Sequence, residues 1–199
     1  MNAHQHIADR IQKTELDTRG GYPWMTVTDF LPADLYENIR INQDCQQLLN
    51  AHDDPNIVKA LYNKFSDYPI RQDNIQSIYA FWQSTGAGYS LKPHEDSWPR
   101  VFTIVYYFPD DDTYPEAGTA IYEVDEDKRT YNTVATSPYL PNTATIIAPD
   151  TGRTWHGVDL IQRQVSRQSA VLVFSAEEWT PAQLHYADWK SGRTVNYAR

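Results

Sequence analysis

The hydrophobic and polar positions along the chain change their period near Asp73. Before this residue, apolar side chains recur at intervals of three and four, which is the spacing of one face of an α-helix. After it, short runs of alternating, β-branched and aromatic residues are separated by turn clusters such as STGAG and PDDDTYPEAG. The pattern therefore predicts a helical first third followed by a strand-rich remainder.

The first third contains clear helix starts. Leu31-Pro32 places a proline in the first turn of one helix, whose apolar face continues to about Asn50. Asp54-Pro55 begins the next helix with a capping aspartate followed by proline. Residues 1–20 have a weaker helical pattern, and YPWMTVTDF (22–30) predicts a strand.

The remainder contains eight candidate strands and no helical pattern between them. They are IQSIYAFW, GYSLK, VFTIVYYF, GTAIYEV, RTYNTVA, ATIIAP, TWHGVDL and RQSAVLVFS. Short strands separated by turns favour an antiparallel sandwich or barrel over a parallel α/β sheet. We expect the helices to cover one outer face of the sheet.

The length of 199 residues is compatible with one domain over residues 1–199. We predict a helical support in 1–73, a β core in 74–176 and a C-terminal extension in 177–199.

Charge and composition exclude several classes of function. The net charge is −9 and no basic stripe is present, so we expect no nucleic-acid partner. Cys45 is the single cysteine, which rules out an internal disulfide, and its helical context predicts a small buried residue. No stretch approaches the length of an apolar membrane span, and the N-terminus lacks the apolar core of a signal peptide. We therefore expect no membrane association and a cytoplasmic location.

The stretch KPHED (92–96) is the first candidate for chemistry, since His94 and Asp96 are spaced by two. Residues i and i+2 of a strand point to the same side, so both side chains can bind one metal ion. A second His-x-Asp occurs at His52-Asp53-Asp54, but it lies between two helices, where Asp54 is better explained as a cap.

Two further groups complete the candidate site. TWHGV supplies His156 on a separate short strand, which would add a second imidazole to the carboxylate and the first imidazole. Arg167 and Ser169 begin the last apolar strand and are also spaced by two. A guanidinium fork beside a hydroxyl is a suitable clamp for a carboxylate.

From about Gly88 to Ser175, the order of these residues resembles the 2-oxoglutarate- and Fe(II)-dependent oxygenases, and within them the prolyl-hydroxylase-like branch. GYSLKPHED resembles the Gly-Tyr that precedes His-x-Asp in that branch. RVFTIVYYF, EAGTAIYEV, LPNTATIIAPDTGRTWHGV and RQSAVLVFS resemble its later strands. The resemblance implies a mainly β fold with N-terminal helices, namely a double-stranded β-helix (a jelly-roll or cupin-like barrel) braced by helices.

The resemblance also implies the roles of individual residues. His94, Asp96 and His156 would form the catalytic centre and bind Fe(II).

For the co-substrate, the resemblance implies that Arg167 pairs with the distal carboxylate of 2-oxoglutarate, helped by Ser169. Tyr107 matches a strand tyrosine that bonds the same carboxylate, and Tyr89 is a second candidate for the pocket wall. The chain departs from the branch at Thr119, which replaces the second glycine of a Gly-Gly hairpin. The loop before Arg167 is also longer than usual, which makes Arg163 a rival anion partner.

The implied reaction is hydroxylation of a substrate C–H bond by O2, with oxidative decarboxylation of 2-oxoglutarate to succinate and CO2. Ascorbate is an optional addition to this set of cofactors. Because Asp96 is a carboxylate, hydroxylation is favoured over halogenation, and desaturation stays open. The substrate is expected to be a small molecule or a peptide or protein, and the pattern gives no prediction of the oligomeric state.

Two other classes of function fit part of the pattern. A cupin-like metal-binding protein would share the barrel without using 2-oxoglutarate, but it would usually carry further histidines near the first. A non-catalytic jelly-roll binding module would explain the strands and aromatics, but it would make the order of the metal-ligand types a coincidence.

Overall fold

The fold was analysed in a computed structural model of the chain, which describes residues 2–125, 130–149, 153–162, 165–178 and, for the backbone, 195–198. Its described helices are α1 (Ala3–Lys13), α2 (Ala33–Asn42), α3 (Cys45–His52) and α4 (Pro55–Lys64). A 3₁₀ turn spans Pro115–Ala117. None of the helices in these ranges has the length and apolarity that crossing a membrane requires.

The helix starts follow the capping residues of the sequence. The Asn2 side chain accepts a hydrogen bond from the backbone of Gln5 at the start of α1. As predicted, Asp54 caps α4, where its carboxylate accepts from the backbone of Asn56 and Pro55 occupies the first turn. Cys45 is buried at the start of α3, as expected.

The single helix predicted from Leu31-Pro32 to Asn50 is wrong, because the chain forms two helices there. Gln43 takes a left-handed conformation with φ 52°, which ends α2. The Asp44 carboxylate then accepts from two backbone N–H groups and starts α3. A strong capping residue in a polar stretch therefore outweighs the continuous apolar pattern.

All eight candidate strands after residue 73 are present. The strands are β1 (Trp24–Thr28), β2 (Ser77–Thr85), β3 (Leu91–His94), β4 (Arg100–Tyr107), β5 (Thr119–Asp125), β6 (Thr130–Ser137), β7 (Thr143–Ile147), β8 (His156–Val158), β9 (Arg167–Ser175) and β10 (Val195–Ala198). A six-stranded sheet has the order β1-β7-β4-β9-β2-β10, and a four-stranded sheet has the order β3-β8-β5-β6. Every pairing is antiparallel.

This arrangement is a double-stranded β-helix with N-terminal helices, which confirms the predicted fold class. The strand predicted at 22–30 is also confirmed as β1, which pairs with β7. β1 and β10 add strands from outside the range 74–176, and the division into a support, a core and an extension stays a prediction.

The larger sheet separates two apolar clusters. On one face, Trp82, Ile104 and Leu172 pack with side chains from all four helices. On the other face, Phe81 and Val171 belong to a second cluster that faces the smaller sheet. Successive residues of a strand point to opposite faces of the sheet. The register of the strands therefore determines which side chains belong to each cluster. The helices therefore cover one outer face, as expected.

His52 joins the helical layer to the sheet and is fully buried. Its Nδ1 donates to the Leu48 carbonyl at 2.8 Å, which leaves Nε2 to accept from the Tyr106 hydroxyl at 2.5 Å. Burial lowers the pKa of His52 to about 4, against an ordinary value of 6.5. The imidazole is therefore neutral at pH 7, and it has a structural role.

We expect the neutral His52 to make the free energy of unfolding depend on pH. The unfolded chain takes up this proton below about pH 6.5, whereas the folded chain takes it up only near pH 4. The stability contributed by the neutral ring is therefore complete above pH 6.5 and is lost as the pH falls to 4, by up to about 3 kcal/mol. Urea unfolding in the presence of a chelator, at several pH values, measures this loss.

The matched control for this prediction is the double variant His52→Leu with Tyr106→Phe. It removes the titrating ring and its phenol partner together, so that neither polar group is left alone. The pH dependence of its unfolding free energy should be flatter than that of the wild type between pH 6.5 and 4. Equal slopes would contradict the assignment.

Candidate metal centre and active site

Two short strands of the smaller sheet bring the first histidine to the second. β3 and β8 pair antiparallel, with His94 directly opposite His156. The strands approach closely because residue 157 is glycine: a Cβ there would lie 2.4 Å from the carbonyl oxygen of Leu91 and 3.2 Å from the Tyr122 ring. Gly157 is therefore needed for the close pairing of the two strands.

Asp96 joins the two histidines just after β3 ends. One ligand atom from each of His94, Asp96 and His156 lies within 4.8 Å of the others. The His156 Nε2 is 3.8 Å from the Asp96 Oδ2, and the imidazole centroids are 4.4 Å apart. The structure therefore brings together the three residues that the sequence singled out.

The backbone sets the tautomer of both imidazoles. The Nδ1 of His94 donates to the Lys92 carbonyl at 3.0 Å, and the Nδ1 of His156 donates to the Thr154 carbonyl at 2.8 Å. A carbonyl only accepts, so each Nδ1 carries the proton and each Nε2 keeps its lone pair. Burial, helped by the neighbouring His156, lowers the pKa of His94 to about 4, which keeps its ring neutral.

Asp96 is buried and held as an anion. Arg100 donates to its Oδ1 at 2.5 Å, and the Thr103 hydroxyl donates to its Oδ2 at 2.6 Å. Burial alone would raise the pKa of Asp96, but the charge of Arg100 and the hydrogen bond from Thr103 oppose it, and the pKa lies well below its usual range. One carboxylate beside two imidazoles is a donor set that suits Fe(II).

The triad lines one end of a cavity between the two sheets. Its volume is about 90 Å³. The wall combines polar and charged side chains with apolar ones. Besides the triad, its lining consists of Phe81, Gln83, Leu91, Arg100, Thr103, Val105, Thr119, Gly157, Val158, Arg167 and Val171.

Arg167 also lines the cavity and is 1% exposed. Its Nε donates to the Ala117 carbonyl at 2.7 Å, and its Nη1 donates to the Ser169 hydroxyl at 2.9 Å. Its guanidinium carbon lies 5.8 Å from the ring centroids of Tyr107 and Tyr139. Arg167 and Ser169 thus share one side of β9, as their spacing indicated.

Within the described residues, no carboxylate lies within ion-pair distance of Arg167, and its Nη2 makes no hydrogen bond. A buried guanidinium without a counter-ion is costly. An anion bound in the cavity would remove this cost.

Tyr107 is fully buried beside Arg167, but its hydroxyl has partners within the protein. It accepts from the backbone N–H of Thr119 at 3.0 Å and bonds the Thr119 hydroxyl at 2.6 Å. It also bonds the Thr145 hydroxyl at 2.5 Å. Thr119, the departure from the Gly-Gly hairpin, therefore supplies two of these three contacts. The carboxylate-binding role of Tyr107 stays a prediction.

The remaining candidates lie elsewhere. Tyr89 packs against the cavity-side cluster but is not among the residues that line the cavity, so its role also stays a prediction. Arg163, the rival anion partner, lies outside the described residues.

Sequence reasoning missed the residues that support the triad. Arg100 and Thr103 hold Asp96, and Gly157 permits the pairing of the histidine strands. Gln83 also escaped notice, although it lines the cavity. Its position in the alternation of β2, on the same side as Phe81, is the signal that could have identified it.

A larger cavity of about 780 Å³ lies between α3, α4 and the start of β2. None of the triad residues lines it, and its walls carry amides, apolar side chains and the acids Asp53 and Asp54. We assign the chemistry to the smaller cavity, because buried ionisable groups of both signs converge there.

Comparison with known proteins supports the fold. No protein-family model matches the sequence, and no curated protein matches it. The structure is similar to a prolyl-4-hydroxylase from Pseudomonas putida, with a TM-score of 0.55 and 16% identity over 91% of this chain and 98% of that one. It also matches a prolyl hydroxylase from Trichoplax adhaerens, solved with a peptide fragment of the hypoxia inducible factor oxygen degradation domain, with a TM-score of 0.49 and 12% identity over 87% of this chain and 89% of that one.

A third match is an oxidoreductase of the 2OG-Fe(II) oxygenase family from Burkholderia pseudomallei, with a TM-score of 0.44 and 15% identity over 85% of this chain and 77% of that one. Of these three, the Pseudomonas enzyme has a TM-score above 0.5, so the comparison of folds rests on it. The chain has the fold of the prolyl-4-hydroxylases, as the sequence resemblance predicted.

We expect His156→Ala to remove metal binding. The variant loses one of three ligands, so its Fe(II) affinity should fall by more than the roughly 10–100-fold typical of losing an outer-shell partner. Anaerobic calorimetry measures this change. His6→Ala is the matched control, because His6 lies in α1 and its side chain bonds the Asp29 carbonyl, away from the triad. Equal loss in both variants, or in neither, would contradict the assignment of the site.

Gly157→Ala should also weaken metal binding, although it removes no ligand. Its Cβ would force β8 away from the Leu91 carbonyl and separate the two imidazoles. We expect a loss of about tenfold in Fe(II) affinity, similar to that of other changes that misplace a ligand. Gly86→Ala is the control, since its Cβ meets only the Val165 carbonyl at 3.3 Å. Wild-type affinity in Gly157→Ala would show that the close pairing is not required.

Proposed function

We propose that the protein is a 2-oxoglutarate- and Fe(II)-dependent dioxygenase that hydroxylates a substrate C–H bond. The observation that carries this proposal is the pairing of two features in one small cavity. One is a set of two imidazoles and a carboxylate, and the other is a buried guanidinium that has no acidic partner among the described residues.

The two features suit the two ends of a 2-oxo dicarboxylate. Such a molecule has a chelating 2-oxo acid at one end and a free carboxylate at the other. His94, Asp96 and His156 would hold the iron, which the 2-oxo acid end would contact. Arg167 would bind the distal carboxylate with the unused edge of its guanidinium.

Bound iron would supply the activation of O2 that is coupled to decarboxylation of 2-oxoglutarate. The chain itself supplies position and charge. The Lys92 and Thr154 carbonyls keep each Nε2 directed away from the backbone and free of its proton. Arg100 and Thr103 keep Asp96 ionised and fixed.

The apolar side chains of the cavity have a role as well. Phe81, Val105 and Val171 line the cavity between the triad and Arg167. They would enclose the carbon chain of the co-substrate and exclude water, which strengthens the electrostatic contacts at both ends.

The substrate itself is proposed more broadly, as a small molecule or the side chain of a peptide or protein. The residues that support the proposal concern the metal and the co-substrate, and they do not select among these substrates. The Pseudomonas neighbour is a prolyl-4-hydroxylase, which makes prolyl compounds the first substrates to try.

The test is an anaerobic titration of the Fe(II)-loaded protein with 2-oxoglutarate. Chelation should produce a visible charge-transfer band, and admission of O2 should then yield succinate. Arg167→Met should weaken 2-oxoglutarate binding on the order of 100-fold, because it removes the charge that the distal carboxylate meets. Fe(II) affinity should change little, since the hydrogen bonds of Arg167 among the described residues go to Ala117 and Ser169 and not to the triad.

Arg167→Lys provides a graded comparison. It keeps the positive charge but loses the planar fork, so its affinity should lie between those of the wild type and Arg167→Met. If the wild type binds Fe(II) but gives no band with 2-oxoglutarate, the cupin-like alternative is favoured. If it binds no metal, the non-catalytic jelly-roll alternative is favoured.

A further inference from the structure

We propose that Gln83, rather than Tyr107, is the second side chain that donates to the carboxylate held by Arg167. This inference rests on the proposed function, because it names a further positioning residue for the 2-oxo dicarboxylate. It differs from the sequence resemblance, which assigns that donor role to Tyr107.

Gln83 is a buried polar side chain that lines the cavity. It is 4% exposed, and its Nε2 has no hydrogen-bond partner among the residues that the structure describes. A buried amide donor left unpaired costs about 1–3 kcal/mol, so such groups usually meet a ligand or ordered water. Its place in the cavity wall makes a bound ligand the natural acceptor.

The strand register places Gln83 beside Arg167's anion site. Gln83 is directly opposite Ser169 in the β2–β9 pair, and the Ser169 hydroxyl accepts from Arg167. Opposite residues on one face have Cβ atoms about 5 Å apart. The Gln83 side chain therefore leaves its strand beside the Ser169 hydroxyl, which Arg167 contacts.

The same register separates Gln83 from the metal end. Asp96 accepts a hydrogen bond from Thr103 on β4. Thr103 and Tyr79 of β2 both lie opposite Val173 of β9, so they belong to one row across the sheet. Gln83 is four residues further along β2, a distance of about 13 Å along the strand. The amide thus belongs to the end of the cavity that contains Arg167.

Tyr107 has no hydrogen-bonding capacity left for the carboxylate. A phenol has one donor and two acceptor positions. Tyr107 uses them for the N–H and hydroxyl of Thr119 and for the hydroxyl of Thr145. Contact with a carboxylate would require the loss of one of these bonds, whereas Gln83 needs no such exchange.

The experiment compares variants by binding, not by turnover. Dissociation constants for 2-oxoglutarate are measured on the Fe(II)-loaded protein without O2, by the charge-transfer band and by calorimetry. Gln83→Leu should weaken binding about tenfold, the value of one hydrogen bond to a charged group. Gln83→Glu keeps the shape of the side chain but replaces the donor with a negative charge. Its affinity for 2-oxoglutarate should therefore fall further than that of Gln83→Leu.

The controls separate position from general damage. Gln5→Leu makes the same substitution on the exposed side of α1 and should bind like the wild type. Tyr107→Phe should weaken binding less than Gln83→Leu. Thermal unfolding of each variant checks that it is folded. 2-Oxobutyrate, which has the same chelating end but no distal carboxylate, should bind Gln83→Leu and the wild type equally.

Three results would overturn the inference. One is wild-type affinity for 2-oxoglutarate in Gln83→Leu. Another is a larger loss in Tyr107→Phe than in Gln83→Leu. The third is an equal loss for 2-oxobutyrate, which would place the amide at the metal end. Failure of the proposed function is a separate observation, because the wild type itself would then give no band with 2-oxoglutarate.

Discussion

The alternation of side chains across the larger sheet connects the helical core to the cavity. Tyr106 and Tyr107 are neighbours on β4, yet Tyr106 bonds His52 in the helical layer and Tyr107 bonds Thr119 on the cavity side. A slip of one residue in register would exchange every such pair. The helices and the site are therefore not independent, because packing of the apolar side chains against the helices also fixes which side chains enter the cavity.

The two arginines of the cavity have opposite roles, although both are buried. Arg100 is paired with Asp96, so its charge is neutralised within the protein. Arg167 bonds only a carbonyl and a hydroxyl among the described residues. Apart from the imidazoles, two guanidinium charges face one carboxylate, which leaves one positive charge in a protein of net charge −9. A cation would increase that excess, whereas a dicarboxylate bound with it would reduce it.

The sequence predicted the strands and the grouping of the His-Asp-His triad well, because both depend on local or strongly typed signals. His94 and Asp96 stand out by their spacing, and each strand by its own alternation. The break between α2 and α3 was missed because the left-handed Gln43 interrupts an apolar pattern that is otherwise continuous. The hydrogen bond from Arg100 to Asp96 was also missed. The two residues are separated by a turn, and no sequence pattern predicts which side chain of the following strand will contact Asp96.

The least predictable feature is the choice of hydrogen-bond partners inside the cavity. Residue 119 is threonine, whereas the prolyl-hydroxylase-like branch that the sequence resembles has glycine there. Thr119 adds a hydroxyl directly beside the phenol of Tyr107. That phenol then becomes part of the protein's own network, whereas the Gln83 amide keeps a donor without a partner among the described residues. Positions 83, 107 and 119 are far apart in sequence and belong to three strands in two sheets. Their hydrogen bonds compete, so the role of one cannot be transferred from a resemblance without knowing the other two. With the role that we propose for Gln83, a substitution in a hairpin would move a binding role to a different strand while the triad stays in place.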